Sequence, residues 1–391
     1  MKLNELPPAG LSRVLRGALI LGLAAGLSGC GAIALESMTG AVPSISNPFA
    51  SKPPGEAMDV TMFVASTRPA ARNNIRRAGE EGNAHFAMAM VSVPPGHQAG
   101  AVEQPSFGKA QAGKHFVVML DRAISREEFG RSIATNLSGR VGSNRDVLVF
   151  VHGFNTGLEE ARFRLAQIVA DGRFGGVPVL FTWPTRGDIT AYAADKDSAT
   201  ASRDALSRTL LELAGTPGVG RIHVLAHSMG GWLAMEGLRE AAISGHPNLD
   251  GRLGEVMLAA PDIDLSVFRQ QMAKLDGARV SVFTSANDRA LSLSSFIARD
   301  RPRVGAMNPA NANDRNALKR LGVTIYDVSG AQGGGFIGHD VYADAPSVIR
   351  VIGAQLGRSR ADDSGVSSVL GSNDVRPHGP DISAEPLAPP Q

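Results

Sequence analysis

Between residues 58 and 357, short apolar runs rich in β-branched residues alternate with stretches of helical length. The runs Val60 to Ala65, His85 to Val93 and His115 to Leu120 come first, with no helical pattern recognised between them. Six more follow: Val147 to Val151, Val179 to Trp183, Arg221 to Leu225, Glu255 to Ala259, Val280 to Thr284 and Val323 to Val328. Helical stretches separate the later runs at Leu158 to Asp171, Lys196 to Ala214, Gly230 to Ser244 and Leu265 to Ala273. Consecutive strands without crossover helices pair antiparallel, so the first three predict an antiparallel edge. Strict alternation from Val147 onward predicts a mostly parallel central sheet with helices on both faces. The fold class is α/β, and in such sheets the ligand site lies outside the carboxyl ends of the strands.

The two ends of the chain break this pattern. Lys2, Arg13 and Arg16 precede an apolar run from Gly17 to Leu27, eleven residues long. Roughly 20 apolar residues are needed to cross a bilayer, so the run reads as a secretion signal. It ends in Leu27-Ser28-Gly29-Cys30, which resembles the lipobox of bacterial lipoproteins. The resemblance implies a signal peptide over residues 1–29, cleavage before Cys30 and acylation there. Gly31 in the next position points by the same resemblance to the outer membrane, facing the periplasm. Residues 30–57, with Pro43, Pro48, Pro53 and Pro54, read as a flexible tether, and residues 358–391 as a disordered tail. That leaves 58–357 as the folded domain.

Composition narrows the function classes. The chain has 391 residues, 43% hydrophobic and 19% charged, enough for a sizeable core. Its net charge of +2 is carried by the first 29 residues, where Lys2, Arg13 and Arg16 face one acid, Glu5. The neutral remainder has no basic stripe for nucleic acid. The nine histidines show no metal-ligand spacing, and no phosphate-cradling loop appears, so neither a metal nor a cofactor is expected. A single cysteine excludes an intrachain disulfide.

The chemistry concentrates in Arg221-Ile-His-Val-Leu-Ala-His-Ser-Met-Gly-Gly231, where a strand pattern enters Ala226-His-Ser-Met-Gly230 and a helix pattern leaves it. This resembles the nucleophile elbow of α/β-hydrolases, usually Gly-x-Ser-x-Gly, with Ala226 in place of the first glycine. It implies Ser228 as nucleophile. About 75 residues earlier, Val147-Leu-Val-Phe-Val-His-Gly-Phe-Asn155 is a buried strand ending in the loop that supplies one oxyanion donor in that fold. The donors implied are the backbone N–H groups of Phe154 and Met229, with His152 holding the loop. In the same fold the base follows the nucleophile and the acid. Of His246, His339 and His378, only His339 follows the last strand within the domain, in Gly338-His-Asp340. Two places remain open for the acid: Asp288, after Val280 to Thr284, and Asp262 or Asp264, after the preceding strand. Trp183 to Tyr192 follow a strand's carboxyl end, where they border the site unless Trp183 is core.

The order of Thr61-Met-Phe-Val-Ala-Ser-Thr-Arg68, Val91-Ser-Val-Pro-Pro, Phe150-Val-His-Gly-Phe-Asn, Phe181-Thr-Trp-Pro, Ala226-His-Ser-Met-Gly-Gly and Gly338-His-Asp resembles an uncharacterised bacterial family of α/β-hydrolases of esterase or lipoprotein type. The resemblance covers about residues 58 to 355. It implies the fold and the triad and brings no established substrate. The leading reading of the residues is a serine hydrolase acting on a small-molecule acyl ester or thioester, with the membrane contacted through the lipid. An acyltransferase using the same triad and a non-catalytic binding lipoprotein are the alternatives.

Overall fold

The computed structural model describes residues 56–69, 83–186, 191–285, 302–331, 341–357 and 376–378. Ten strands form one sheet in the order β10-β9-β8-β7-β6-β4-β5-β1-β2-β3. They are β1 (Met58–Ser66), β2 (His85–Val93), β3 (Val117–Ile124), β4 (Val147–Val151) and β5 (Val177–Thr182), then β6 (Ile222–His227), β7 (Leu253–Ala259), β8 (Arg279–Thr284), β9 (Thr324–Asp327) and β10 (Arg376–His378). β4 to β9 run parallel, whereas β1, β2 and β3 pair antiparallel with one another. β1 joins this edge to the centre by pairing parallel with β5.

Every residue of β4 (VLVFV) and of β6 (IHVLAH) is buried. Near-continuous apolar strands of this kind need helices on both faces. These include α2 (Leu158–Asp171) and α5 (Met229–Ile243), each burying one face against the sheet. α1 (Arg126–Leu137) lies between β3 and β4 and has no counterpart in the sequence reading. Its start signal is Ser125, whose hydroxyl accepts the Glu128 amide at 3.1 Å, with Glu127 and Glu128 in the first turn.

There are three further differences from the sequence reading. The helix expected over Lys196 to Ala214 is two, α3 (Tyr192–Ala201) and α4 (Arg203–Gly215). At the break, Ser202 Oγ donates to the Ser198 carbonyl at 2.8 Å and meets Thr67 Oγ1 at 2.8 Å. A serine hydroxyl that competes for the helix's own carbonyls bends or ends it. Within the tail read as disordered, Arg376–His378 pairs antiparallel with β9. The helix Pro346–Leu356 opens on a proline, a residue pre-set for a helix's first turn, and was not anticipated.

The long connection between β2 and β3 is held by an ion triad. His97 Nδ1 lies 2.9 Å from Glu103 Oε2 and His97 Nε2 lies 2.9 Å from Asp171 Oδ1. Only an imidazolium donates from both nitrogens. Asp171 also accepts from the Gly100 amide and Gln167, and Gln167 donates to the Ala343 carbonyl at 2.7 Å. Burial alone would lower the His97 pKa, but the two carboxylates outweigh it and the value is raised; those of Glu103 and Asp171 are lowered. A raised histidine stabilises the fold fully below its unfolded pKa of about 6.5 and loses that contribution as pH rises through the folded value. The lowered carboxylates lose theirs as pH falls through their folded values. Wild type is therefore expected to lose more thermal stability than His97→Gln between mildly acidic and alkaline pH. Equal losses in the two proteins would remove the triad from the account.

Candidate active site

Ser228 stands between the end of β6 and the first residue of α5. Its backbone has φ 53° and ψ −121°, a region that costs a non-glycine residue about 1–3 kcal/mol and persists only where the surroundings impose it. They do so through three hydrogen bonds. The Ser228 amide donates to the Ala259 carbonyl at 2.9 Å, and the Ser228 carbonyl accepts from Gly231 at 2.9 Å and from Asp262 at 3.1 Å. The hydroxyl makes no capping bond to α5, so Ser228 is not an ordinary helix cap.

The tight turn brings α5 against the end of β4. A Cβ on Gly230 would lie 2.2 Å from the His152 carbonyl oxygen and 2.6 Å from that of Val151. Both obstacles are backbone, so Gly230→Ala must push strand and helix apart. It is expected to lower thermal stability and activity together; an alanine variant with wild-type turnover would show that the elbow tolerates a wider spacing. Gly153 is close-packed from the other side, where a Cβ would meet His227 Nδ1 at 2.7 Å. The backbone of the His152-Gly-Phe-Asn155 loop therefore abuts the elbow. This brings together the segments bearing the Phe154 and Met229 amides. The Met229 side chain is itself buried, at 1% exposure.

His152 is buried and does not reach outward. Its Nδ1 donates to the Gly153 carbonyl at 2.9 Å, which leaves Nε2 as acceptor for the Thr182 hydroxyl at 2.9 Å and the Trp183 amide at 3.3 Å. Trp183 is fully buried, its ring stacks on His152 at 5.4 Å, and its indole N–H donates to the His152 carbonyl at 3.0 Å. It is core and loop support, not a pocket wall. Burial, and secondly the nearby Arg68 charge, push the His152 pKa down to about 3, so the ring is neutral at ordinary pH.

His227, next to Ser228, stacks on Tyr342 with ring centroids 4.4 Å apart. Sequence reasoning missed both rings; the only signal was their position beside Ser228 and shortly after His339. Tyr192 was placed only in a stretch bordering the site. Its ring packs against Phe154 at 5.8 Å, and its hydroxyl donates to the Asp262 carboxylate. Asp262 is also paired with Arg303, Nε to Oδ1 3.1 Å, both side chains being buried. Asp264 caps α6 (Leu265–Met272) by accepting the Ser266 and Val267 amides. Asp288, His339 and Cys30 lie outside the described residues.

Among solved structures the fold is similar to carboxyl esterase 2 of the mycorrhizal fungus Tuber melanosporum, at 14% identity over 79% of this chain and 88% of that one, with a TM-score of 0.38. It is also similar to the Pyrococcus horikoshii acylaminoacyl peptidase, at 10% identity and a TM-score of 0.38, over 74% of this chain and 55% of that longer one. No curated protein matches the sequence. A family model described as "Alpha/beta hydrolase of unknown function" (DUF900) matches residues 126–360, from α1 past the helix Pro346–Leu356, and the turn at Ser228, the His152-Gly-Phe-Asn155 loop and the parallel strands β4 to β9 all fall inside that span. With more than half of its length matched, the chain belongs to this family of α/β-hydrolases.

Proposed function

We propose that the protein is a serine hydrolase that cleaves acyl esters or thioesters of small molecules through an acyl-enzyme on Ser228. The observation that carries this reading is the enforced backbone of Ser228, whose hydroxyl is left uncapped at the carboxyl end of a buried parallel strand. Nothing in the packing of an ordinary strand-to-helix turn requires that strain, whereas a nucleophile elbow does.

In the proposed reaction His339 takes the Oγ proton as Oγ attacks the carbonyl carbon. The Phe154 and Met229 amides stabilise the oxyanion, and the proton passes to the departing alcohol or thiol. Water, deprotonated by the same imidazole, then releases the acid and restores Ser228. Support for His339 comes from Tyr342, because three residues of chain span at most about 11 Å and Tyr342 is stacked beside the elbow. Asp288 is the proposed acid, since Asp262 and Asp264 already engage Arg303 with Tyr192 and the α6 N-terminus. A fluorophosphonate probe followed by a panel of esters of increasing acyl length tests the proposal. Labelling and turnover of one acyl class are expected; a folded protein inert to both overturns it.

The enzyme is proposed to work at the bacterial envelope, held by lipid on Cys30 at the outer membrane and facing the periplasm, on the strength of Leu27-Ser28-Gly29-Cys30. Metabolic labelling with palmitate is expected to mark wild type and not Cys30→Ala. An unlabelled wild type removes the anchor and leaves the chemistry standing.

A further inference from the structure

Arg68 belongs to the antiparallel edge of the sheet, yet its side chain works at the centre. It lies two residues past the end of β1, and β1 is separated from β4 by one strand, β5. The guanidinium reaches across the end of β5 to the loop that ends β4. Nε donates to Thr182 Oγ1 at 2.7 Å, and one terminal nitrogen donates to the Thr156 carbonyl at 2.6 Å and approaches His152 Nε2 at 3.3 Å. Thr182, having accepted from Arg68, turns its own hydrogen to His152 Nε2. The Thr156 carbonyl takes a second bond from Thr185 Oγ1 at 3.1 Å, and Thr156 Oγ1 donates back to the Phe154 carbonyl at 3.3 Å. The loop from His152 to Thr156 is thus held at both ends by one side chain, with Phe154 between them.

We propose that Arg68 is a positioning residue for the oxyanion loop: it keeps His152 Nε2 an acceptor and pins Thr156, and so sets the direction of the Phe154 amide. The proposal rests on the reading of Ser228 and Phe154 given above. Thr182 O–H, the Trp183 amide and Arg68 all aim hydrogens at His152 Nε2, so a proton on that nitrogen would set donors against donors. A guanidinium placed there excludes the proton by its charge and binds the lone pair by its geometry. Lysine has the charge without the planar fork that spans Thr182 and Thr156. Among the described residues no carboxylate makes a hydrogen-bonded pair with Arg68. Asp195 and Glu160 act on it only as nearby charges, and burial opposes them. The fork is therefore committed to the loop, not to a counter-ion.

The test combines kinetics with nitrogen spectroscopy on the full chain. Arg68→Met is expected to lower kcat on a nitrophenyl ester by about 10²-fold, the cost of a misplacement near 1 Å, with little change in KM. Arg68→Lys should fail to restore it. Thr182→Val should lose kcat in the same way, and the double variant Arg68→Met/Thr182→Val should lose no more than the worse single, because both cut one network. In wild type the ¹⁵N shifts of His152 should report a neutral Nδ1–H ring between about pH 5 and 8, where an ordinary imidazole titrates. If Arg68→Met does not fold, Thr182→Val and Arg68→Lys carry the kinetic test. A kcat kept within about twofold, additive losses, or a wild-type His152 protonated on Nε2 overturns the proposal. Failure of the underlying reading shows separately, as turnover that survives Ser228→Ala, and the His152 spectrum judges the network without any reference to turnover.

Discussion

Ser228→Ala is expected to abolish fluorophosphonate labelling and to lower kcat on the order of 10⁶-fold, the scale seen when a triad nucleophile is removed. The residual rate should remain above that of water, because the proposed oxyanion donors are backbone groups untouched by the substitution. Stability should hardly move. The hydroxyl makes no cap to α5, and the three hydrogen bonds that enforce the Ser228 backbone are all main-chain. Alanine pays the same positive-φ cost as serine, so the strain is neither added nor relieved. The combination separates a nucleophile from a structural serine: loss of labelling with an unchanged unfolding midpoint. Labelling that persists in the variant would place the reactive hydroxyl elsewhere. Loss of both labelling and stability would make Ser228 a part of the fold first.

The elements that were legible in the sequence are those whose surroundings are uniform. β4 and α2 begin and end where the apolar run and the helical period do, because a fully buried strand and an amphipathic helix each write one rule along their whole length. Even the antiparallel edge could be read, from the lack of a crossover between β1, β2 and β3. The break at Ser202 could not. It depends on a hydroxyl meeting Thr67 from 135 residues away, and no local pattern encodes that partner. β10 is hidden for a simpler reason: three residues of edge strand in a polar tail are too few to show any periodicity.

The site divides the same way. Its proposed nucleophile and the loop beside it stand out because backbone geometry restricts the residue types in sequence: Gly230 admits no Cβ, and a Cβ on Gly153 would press on His227. The supports were invisible because they are long-range and chemically ordinary. Arg68 is one arginine among many until β5 carries Thr182 beneath it, and Tyr342 is one tyrosine until it lies on His227.

The acid of the proposed triad is the sharpest remaining choice, and stability decides it as well as rate. Asp288→Asn is expected to cost about 10⁴-fold in kcat, as when an amide replaces the carboxylate that fixes a catalytic imidazole. The fold should stay intact. Asp262→Asn should do the reverse. Its carboxylate and the Arg303 guanidinium are 3% and 4% exposed, and the amide would leave that guanidinium buried without its counter-charge. Removing one partner of such a pair costs about 3–5 kcal/mol, so the variant should unfold at markedly lower denaturant. The bond from the Tyr192 hydroxyl can survive, since an amide oxygen still accepts it. Measured under conditions where it remains folded, Asp262→Asn should retain most of its turnover, because its backbone amide, which holds the Ser228 carbonyl, is unchanged. A stable Asp262→Asn with turnover down about 10⁴-fold, beside a fully active Asp288→Asn, would move the acid to the strand next to the nucleophile and leave Arg303 as its partner.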